Sequence, residues 1–320
     1  MLVSAAGFGS GTILAAPVYD TGIDWLTLVG WRFLFGAGLG WLWVAISPGR
    51  RAAVRRLSRR QVAVALALGT LYTGNAGTYY AGLQTVPAAL AGVLVYTYPV
   101  IVAVLSLRFA TRLPGRRPWV ALGVALVGVV LALGGIDVAT APPWSGIALV
   151  MLSPVIYSIW IVLSARLSGE RRDRLGHDAP SADSTAGDAA VTTALMMTAT
   201  AAVFALGGAA AGRPPDPSLV PSAAWPGLVA IGFFASFLAI QTFYAGARRL
   251  GAAQAALVST VEPIYIVVLA ALVLDQRLGA IQLAGAGLIL VGVVIAQTAP
   301  RPRGAPEPAM PLDSEVEGSA

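Results

Sequence analysis

Cysteine and lysine are both absent from the chain, and histidine occurs once, as His177. The lack of cysteine excludes disulfides, thiolate nucleophiles and cysteine-ligated metals. The lack of lysine excludes a Schiff-base lysine and the lysine of a phosphate-binding loop. No apolar segment carries a histidine or a pair of carboxylates. The sequence therefore indicates no enzyme, and no cofactor or metal is expected.

Charged residues are scarce as well. They make up 11% of the 320 residues, and 57% are hydrophobic, whereas a soluble domain usually carries about 25% charged residues. The net charge of +6 comes from arginines that lie between apolar segments. They form no basic patch interleaved with aromatic residues, so nucleic acid is not an expected partner. We therefore expect the protein to lie in a lipid bilayer and to contact membrane lipid.

Ten apolar segments are each long enough to cross a hydrocarbon core of about 30 Å as a helix. The sequence thus predicts an all-α polytopic membrane protein with ten transmembrane helices. The stretch 166–189 is expected to be a polar loop, and 299–320 a disordered tail. The ten segments lie at 2–19, 26–46, 62–83, 87–109, 118–135, 144–165, 190–210, 225–247, 251–273 and 279–298.

The arginines fall mainly in alternate connections between these segments. Six of them lie in 47–61, and others follow the fourth, sixth, eighth and tenth segments. Because positive residues favour the cytoplasmic side, this pattern places both termini and the loop 166–189 in the cytoplasm. We expect a multi-pass protein of the plasma (inner) membrane.

The chain contains an internal repeat. Residues 78–133 align without gaps onto 242–297, and 18 of the 56 aligned pairs are identical. Each unit holds five segments, an odd number, so the second unit enters the membrane in the opposite direction. Such inverted repeats recur in secondary transporters that work by alternating access. We predict one five-helix unit in 1–138 and another in 139–298; a non-transporting receptor or scaffold, and a channel, are the alternatives.

Three stretches carry a family resemblance: the pair Arg32-Phe33, AGLQTVPAALAGVLVYTYPV, and GARRLGAAQAALVSTVEP. With them the chain resembles the EamA transporters of the drug/metabolite transporter superfamily. The resemblance implies ten helices in two inverted units and the export or import of small metabolites, most often amino acids. We expect export, with a proton as the candidate coupling ion. The Gly-Glu-Arg-Leu turn of the family is absent after the fourth and ninth segments, which weakens any inference about turn ion pairs.

Glu262 is the only acid between residues 225 and 273. A charged side chain at mid-bilayer costs about 2.5–3.5 kcal/mol on insertion scales, so it is expected to face the interior of the bundle. Pro263 cannot donate a backbone hydrogen bond, which frees a carbonyl near Ser259. We interpret Glu262 as a protonatable group that binds substrate or a coupling proton; the alternative is a structural role between helices.

The repeat pairs Glu262 with Tyr98, which is expected near the midplane, either in the site or packed against a neighbour. Three roles are open for Arg32: its side chain extends to the membrane–water interface, binds a substrate carboxylate, or pairs with Glu262. A small-molecule substrate is the expected partner, and a homodimer is compatible with the sequence. The remaining candidate binding residues are Ser259, Asn75, Tyr79, Tyr157, Gln241 and Tyr244.

Overall fold

A computed structural model describes residues 1–109, 116–134, 141–167, 188–243, 259 and 261–297. Every regular element in these residues is helical, which confirms the predicted all-α class. We number the helices α1 to α12 along the chain. They are α1 (Leu2–Tyr19), α2 (Trp25–Ala45), α3 (Pro48–Arg55), α4 (Arg59–Leu83), α5 (Ala88–Val95), α6 (Tyr98–Phe109), α7 (Arg117–Gly134), α8 (Trp144–Leu167), α9 (Ala189–Ala210), α10 (Trp225–Ile231, continuing as a π-helix over Gly232–Leu238 and as an α-helix over 239–243), α11 (Val261–Val273) and α12 (Ala280–Gln297).

Five helical stretches are long and apolar enough by themselves to cross a membrane, and four more are apolar but shorter. The long ones are Leu2–Tyr19, Trp25–Ala45, Trp144–Ser164, Ala189–Ala210 and Ser222–Phe243. The protein is thus a multi-pass membrane protein. Most of the predicted loop 166–189, part of the predicted segment 251–273 and the tail 299–320 lie outside the described residues.

The fourth predicted segment, 87–109, is not one helix. It is divided into α5 and α6 at Tyr96 and Thr97. Pro99 explains the division, because proline has no N–H to donate to the Val95 carbonyl and its ring clashes with that carbonyl in a continuous helix. The Thr97 hydroxyl donates to the Leu94 carbonyl at 3.0 Å. The interruption lies in the middle of an apolar segment, where the sequence predicts a continuous span.

The arginine-rich connection 47–61 contains the short helix α3, which the sequence analysis does not predict. Proline at its first turn fits the start of a helix, where an N–H would be unpaired in any case. Two of its arginines return to the end of α2: Arg51 donates to the Ala45 carbonyl at 2.9 Å, and the Arg50 guanidinium lies 4.1 Å from the Trp43 ring centroid. Cationic side chains at this position stabilise the C-terminus of α2, because the helix dipole places partial negative charge there.

Small residues allow the central helices to approach closely. A methyl group added to Gly36 on α2 would lie 2.6 Å from the Ser236 side chain, and one added to Gly232 would lie 2.5 Å from Phe35. A methyl on Gly69 of α4 would collide with the carbonyl oxygen of Met196 on α9. Helices α2, α4, α9 and α10 are therefore packed backbone against backbone, as small residues permit in membrane helices.

The connections at the other end of these helices are joined by an ion pair. Asp24 accepts the backbone N–H groups of Leu26 and Thr27 and so caps the N-terminus of α2. Its second carboxylate oxygen lies 2.7 Å from Nη1 of Arg213, which follows α9. The pair links the connection between α1 and α2 to the one between α9 and α10.

Candidate functional site

A cavity lies where the interrupted segment α5–α6 meets α1, α2, α4, α8 and α11. Its empty volume, counted together with the solvent space at its opening, is about 700 Å³. The lining is rich in tyrosine and contains one carboxylate and one guanidinium. The lining residues are Phe8, Thr12, Arg32, Tyr72, Asn75, Ala76, Tyr79, Tyr80, Val95, Tyr96, Tyr98, Ser153, Tyr157, Phe243, Ser259 and Glu262.

Glu262 lines this central cavity from the first turn of α11. Its side chain is partly buried, and the following Pro263 is buried. Across the part of the chain that the structure describes, the carboxylate forms no hydrogen bond and no ion pair. A carboxylate in an apolar surrounding without a partner is costly, so a bound cation would stabilise it.

Arg32 lines the same cavity from α2 and is 4% exposed, so it does not extend to an interface. Its Nε donates to the Ser236 hydroxyl at 2.8 Å and Nη2 to the Ala235 carbonyl at 3.4 Å. The guanidinium lies 4.9 Å from the Phe33 ring centroid and 4.7 Å from that of Tyr80. Nη1 has no hydrogen-bond acceptor among the described residues.

Arg32 and Glu262 are not paired with each other. The ion pairs found within the described residues join Arg213 to Asp24 and Arg277 to Asp275. Of the three roles open for Arg32, pairing with Glu262 is not observed among the described residues. The physical reason is that Arg32 is held on α10 by Ser236 and Ala235, on the side of α2 that packs against that helix.

The interruption between α5 and α6 places two tyrosines in the cavity wall. The Tyr98 hydroxyl interacts with Ser259, so these two predicted site residues do lie together. Tyr96 is 1% exposed, and its hydroxyl lies beside that of Tyr98 but forms no well-directed hydrogen bond with a described residue. Buried hydroxyl groups are nearly always paired, so the hydroxyl of Tyr96 is a feature that a ligand would satisfy.

The other predicted residues divide into three groups. Asn75, Tyr79 and Tyr157 line the cavity; Asn75 accepts a hydrogen bond from Ser153 at 2.7 Å, and the Tyr79 hydroxyl lies 3.0 Å from that of Thr12. Gln241 is absent from the lining and donates to Thr193 at 2.9 Å, which joins α10 to α9. Tyr244 lies outside the described residues.

Several lining residues are missing from the sequence-based candidates. Tyr72 and Ser153 are one helical turn from the candidates Asn75 and Tyr157, so helical spacing could have indicated them. Tyr96 is two residues from Tyr98, and a continuous helix would place the two on different faces. Only the helix interruption brings both into one wall.

Comparisons with known proteins indicate a membrane transporter family. The sequence model of the EamA-like transporter family matches residues 1–134 and 181–298. A Bacillus subtilis (strain 168) protein described as an uncharacterized transporter, YcbK, is 28% identical over 219 residues, which cover 65% of this chain and 63% of that protein. The match thus spans less than two thirds of the relative. A solved crystal structure superposes with a TM-score of 0.61 at 22% identity, covering 92% of this chain and 95% of the other, and shows the fold alone.

Proposed function

The chain belongs to the EamA-like transporter family, and from this we propose that it is a secondary transporter of small, amino-acid-like metabolites that bind in the central cavity. One observation carries the proposal: Arg32 and Glu262, of opposite charge, line one cavity and leave each other unpaired. Each charge loses hydration in the bundle without gaining a counter-charge from the described residues, which is unfavourable.

A zwitterion would neutralise both charges. Its carboxylate would accept from the free Nη1 of Arg32, a planar donor that suits carboxylates, and its ammonium group would donate to Glu262. The Tyr96 hydroxyl supplies a donor or acceptor that forms no well-directed hydrogen bond with the described residues. An uncharged cargo would leave both buried charges unpaired, so the site favours a cargo with two opposite charges.

The interrupted α5–α6 segment supports transport over static binding. Substrate sites of secondary transporters are typically built from discontinuous helices near the midplane, whose broken turns expose backbone groups to the cargo. Val95, whose carbonyl cannot accept a helical hydrogen bond from Pro99, is a lining residue of the cavity. A receptor or scaffold has no need of such a feature.

The remaining parts of the proposal rest on the sequence. We propose ten helices with 1–138 and 139–298 as inverted units, so that movement of one unit against the other exposes the cavity to alternate sides. The arginine distribution supports a plasma-membrane protein with both termini in the cytoplasm. Export is the proposed direction, and Glu262 is the proposed site of proton exchange with the cargo amine, because one carboxylate can bind either cation.

The test is counterflow of labelled L-alanine and L-leucine in proteoliposomes containing the purified full chain, with and without a pH gradient. Glu262→Gln keeps the shape of the side chain and removes its charge. We expect it to abolish the response to the gradient and to reduce uptake at least 10-fold, about 1.4 kcal/mol for a lost charged contact. The control is Asp275→Asn, the same chemical change at a side chain that is 89% exposed, and it should transport normally.

Two results would reject the proposal. If Glu262→Gln transports as the unaltered protein does, with its dependence on the gradient intact, Glu262 is a structural residue. If the unaltered protein moves neither amino acid under any gradient, the cargo is not amino-acid-like.

A further inference from the structure

A second, apolar chamber adjoins the central cavity. Its empty volume, counted together with open space at its boundary, is about 380 Å³, and it shares Phe8, Tyr72, Tyr157 and Phe243 with the cavity. We call it the side chamber. Helices α2, α4, α8, α9 and α10 enclose it, and its other lining residues are Phe33, Trp160, Thr193, Met196, Met197, Thr200 and Ile240.

The polar atoms around the side chamber are already paired within the protein. The Thr200 hydroxyl donates to the Gly69 carbonyl at 2.7 Å. The Thr193 hydroxyl donates to the Ala189 carbonyl at 2.6 Å and accepts from Gln241. Trp160 Nε1 donates to the Leu68 carbonyl at 3.0 Å. These groups have little left to offer a polar ligand, so a hydroxyl or charge placed there would lose water without compensation.

The remaining surface of the side chamber is suited to an apolar group. Tyr157 and Trp160 are stacked, with ring centroids 5.7 Å apart and an interplanar angle of 13°, so they present a flat aromatic wall. Met196 and Met197 face the chamber from α9, and thioethers adapt to rings and chains of different shape. The central cavity, by contrast, contains the arginine, the carboxylate and the Tyr96 hydroxyl.

We propose that the side chamber is the specificity subsite for the cargo side chain, and that this side chain is apolar or aromatic. The charged head group occupies the central cavity, and the side chain passes between Tyr72 and Phe243, which border both spaces. The inference rests on the proposed function, since it assumes that the head group binds beside Arg32 and Glu262.

A series of ligands that share one head group isolates the subsite. Binding of glycine, L-alanine, L-serine, L-methionine and L-phenylalanine is measured by calorimetry on the purified full chain. We expect L-methionine and L-phenylalanine to bind at least about 10-fold tighter than L-alanine, since even one methylene in an apolar pocket is worth that much. L-serine, whose hydroxyl would find no free partner, should bind no better than L-alanine.

A pair of variants links the preference to the side chamber. Ile240→Phe adds volume inside the chamber, and it should bring the phenylalanine-to-alanine affinity ratio close to 1. Ile281→Phe makes the same change on α12 at a residue that is 54% exposed, and it should keep the ratio of the unaltered protein.

The outcomes separate the two proposals. If L-alanine and L-phenylalanine bind equally well to the unaltered protein, the side chamber is no subsite, while the amino-acid site stands. If Ile240→Phe folds and keeps the full ratio, the preference arises elsewhere and the inference is overturned. If no member of the series binds, both the inference and the amino-acid-like cargo are rejected. Should Ile240→Phe fail to fold, the ligand series on the unaltered protein decides the question.

Discussion

Tyr96 allows a test in which stability and binding should change in opposite directions. Its hydroxyl is buried and forms no well-directed hydrogen bond with a described residue, and its ring packs edge-to-face on Tyr98 with centroids 5.4 Å apart. Tyr96→Phe removes the hydroxyl and keeps the ring packing. An unsatisfied buried polar group costs about 1–3 kcal/mol, so the free energy of unfolding of the empty protein should rise by an amount up to that range.

Binding should weaken in the same variant. A hydrogen bond between the cargo head group and Tyr96 contributes about 0.5–1.5 kcal/mol, which corresponds to a loss of about 2- to 13-fold in affinity. The stabilisation that a saturating ligand gives depends on the ratio of its concentration to its dissociation constant. At one ligand concentration, Tyr96→Phe should therefore gain less stability from L-phenylalanine than the unaltered protein does.

Tyr98→Phe is the matched control. The Tyr98 hydroxyl interacts with Ser259, so its removal should lower the free energy of unfolding of the empty protein. The assay is thermal unfolding of the purified chain in detergent, with and without L-phenylalanine. The reasoning is refuted if Tyr96→Phe destabilises the empty protein as much as Tyr98→Phe does and binds L-phenylalanine unchanged.

Three further predictions concern packing, the ion pair and topology. Gly69→Ala should destabilise the protein by about 1–3 kcal/mol, because its methyl group would meet the Met196 backbone. The control Gly38→Ala, which has open space around it, should be neutral or slightly stabilising. Equal effects of the two substitutions in thermal unfolding would contradict the packing described. Arg213→Ala removes a partly exposed ion pair and should lower the free energy of unfolding by at most about 1 kcal/mol. Asp24→Ala also removes the cap of α2 and should lower it by about 1 kcal/mol more. A larger loss of stability from Arg213→Ala than from Asp24→Ala would contradict this assignment. Reporter fusions after residues 60, 115 and 175 should report the cytoplasm and those after 22, 140 and 215 the opposite side; a reversed signal after 175 would disprove the inverted repeat.

The sequence predicts helical boundaries well where a helix is apolar throughout. Helices α1, α2, α8 and α9 begin and end within a few residues of the predicted segments, because hydropathy and length suffice to define such a span. The division at Tyr96 and Thr97 is not predicted, since the segment stays apolar across it. Pro99 is visible in the sequence, but a membrane helix often tolerates proline when neighbouring groups satisfy the freed carbonyl.

Individual residues of the central cavity were predictable from the sequence, but their positions relative to one another were not. Glu262 and Arg32 are conspicuous because a charge in an apolar segment is rare, and both line the cavity. Their separation was not predictable, since it depends on Ser236 and Ala235, about 200 residues away from Arg32 in the chain. The side chamber was not predictable either, because its apolar residues cannot be told from ordinary packing residues by sequence.

The π-helical turn of α10 has a consequence for the spacing of residues along that helix. Seven residues, Gly232–Leu238, adopt the wider turn, which behaves as a regular helix with one residue too many. In an α-helix each residue adds about 100° of rotation, given 3.6 residues per turn. The extra residue therefore sets the angle between Ser236, which holds Arg32, and Ile240, which faces the side chamber. Deleting one residue here would restore a regular helix, yet it would turn Ile240 and Phe243 away from the chamber. A deletion of one residue, which leaves the helix intact, would thus replace part of the lining of the side chamber.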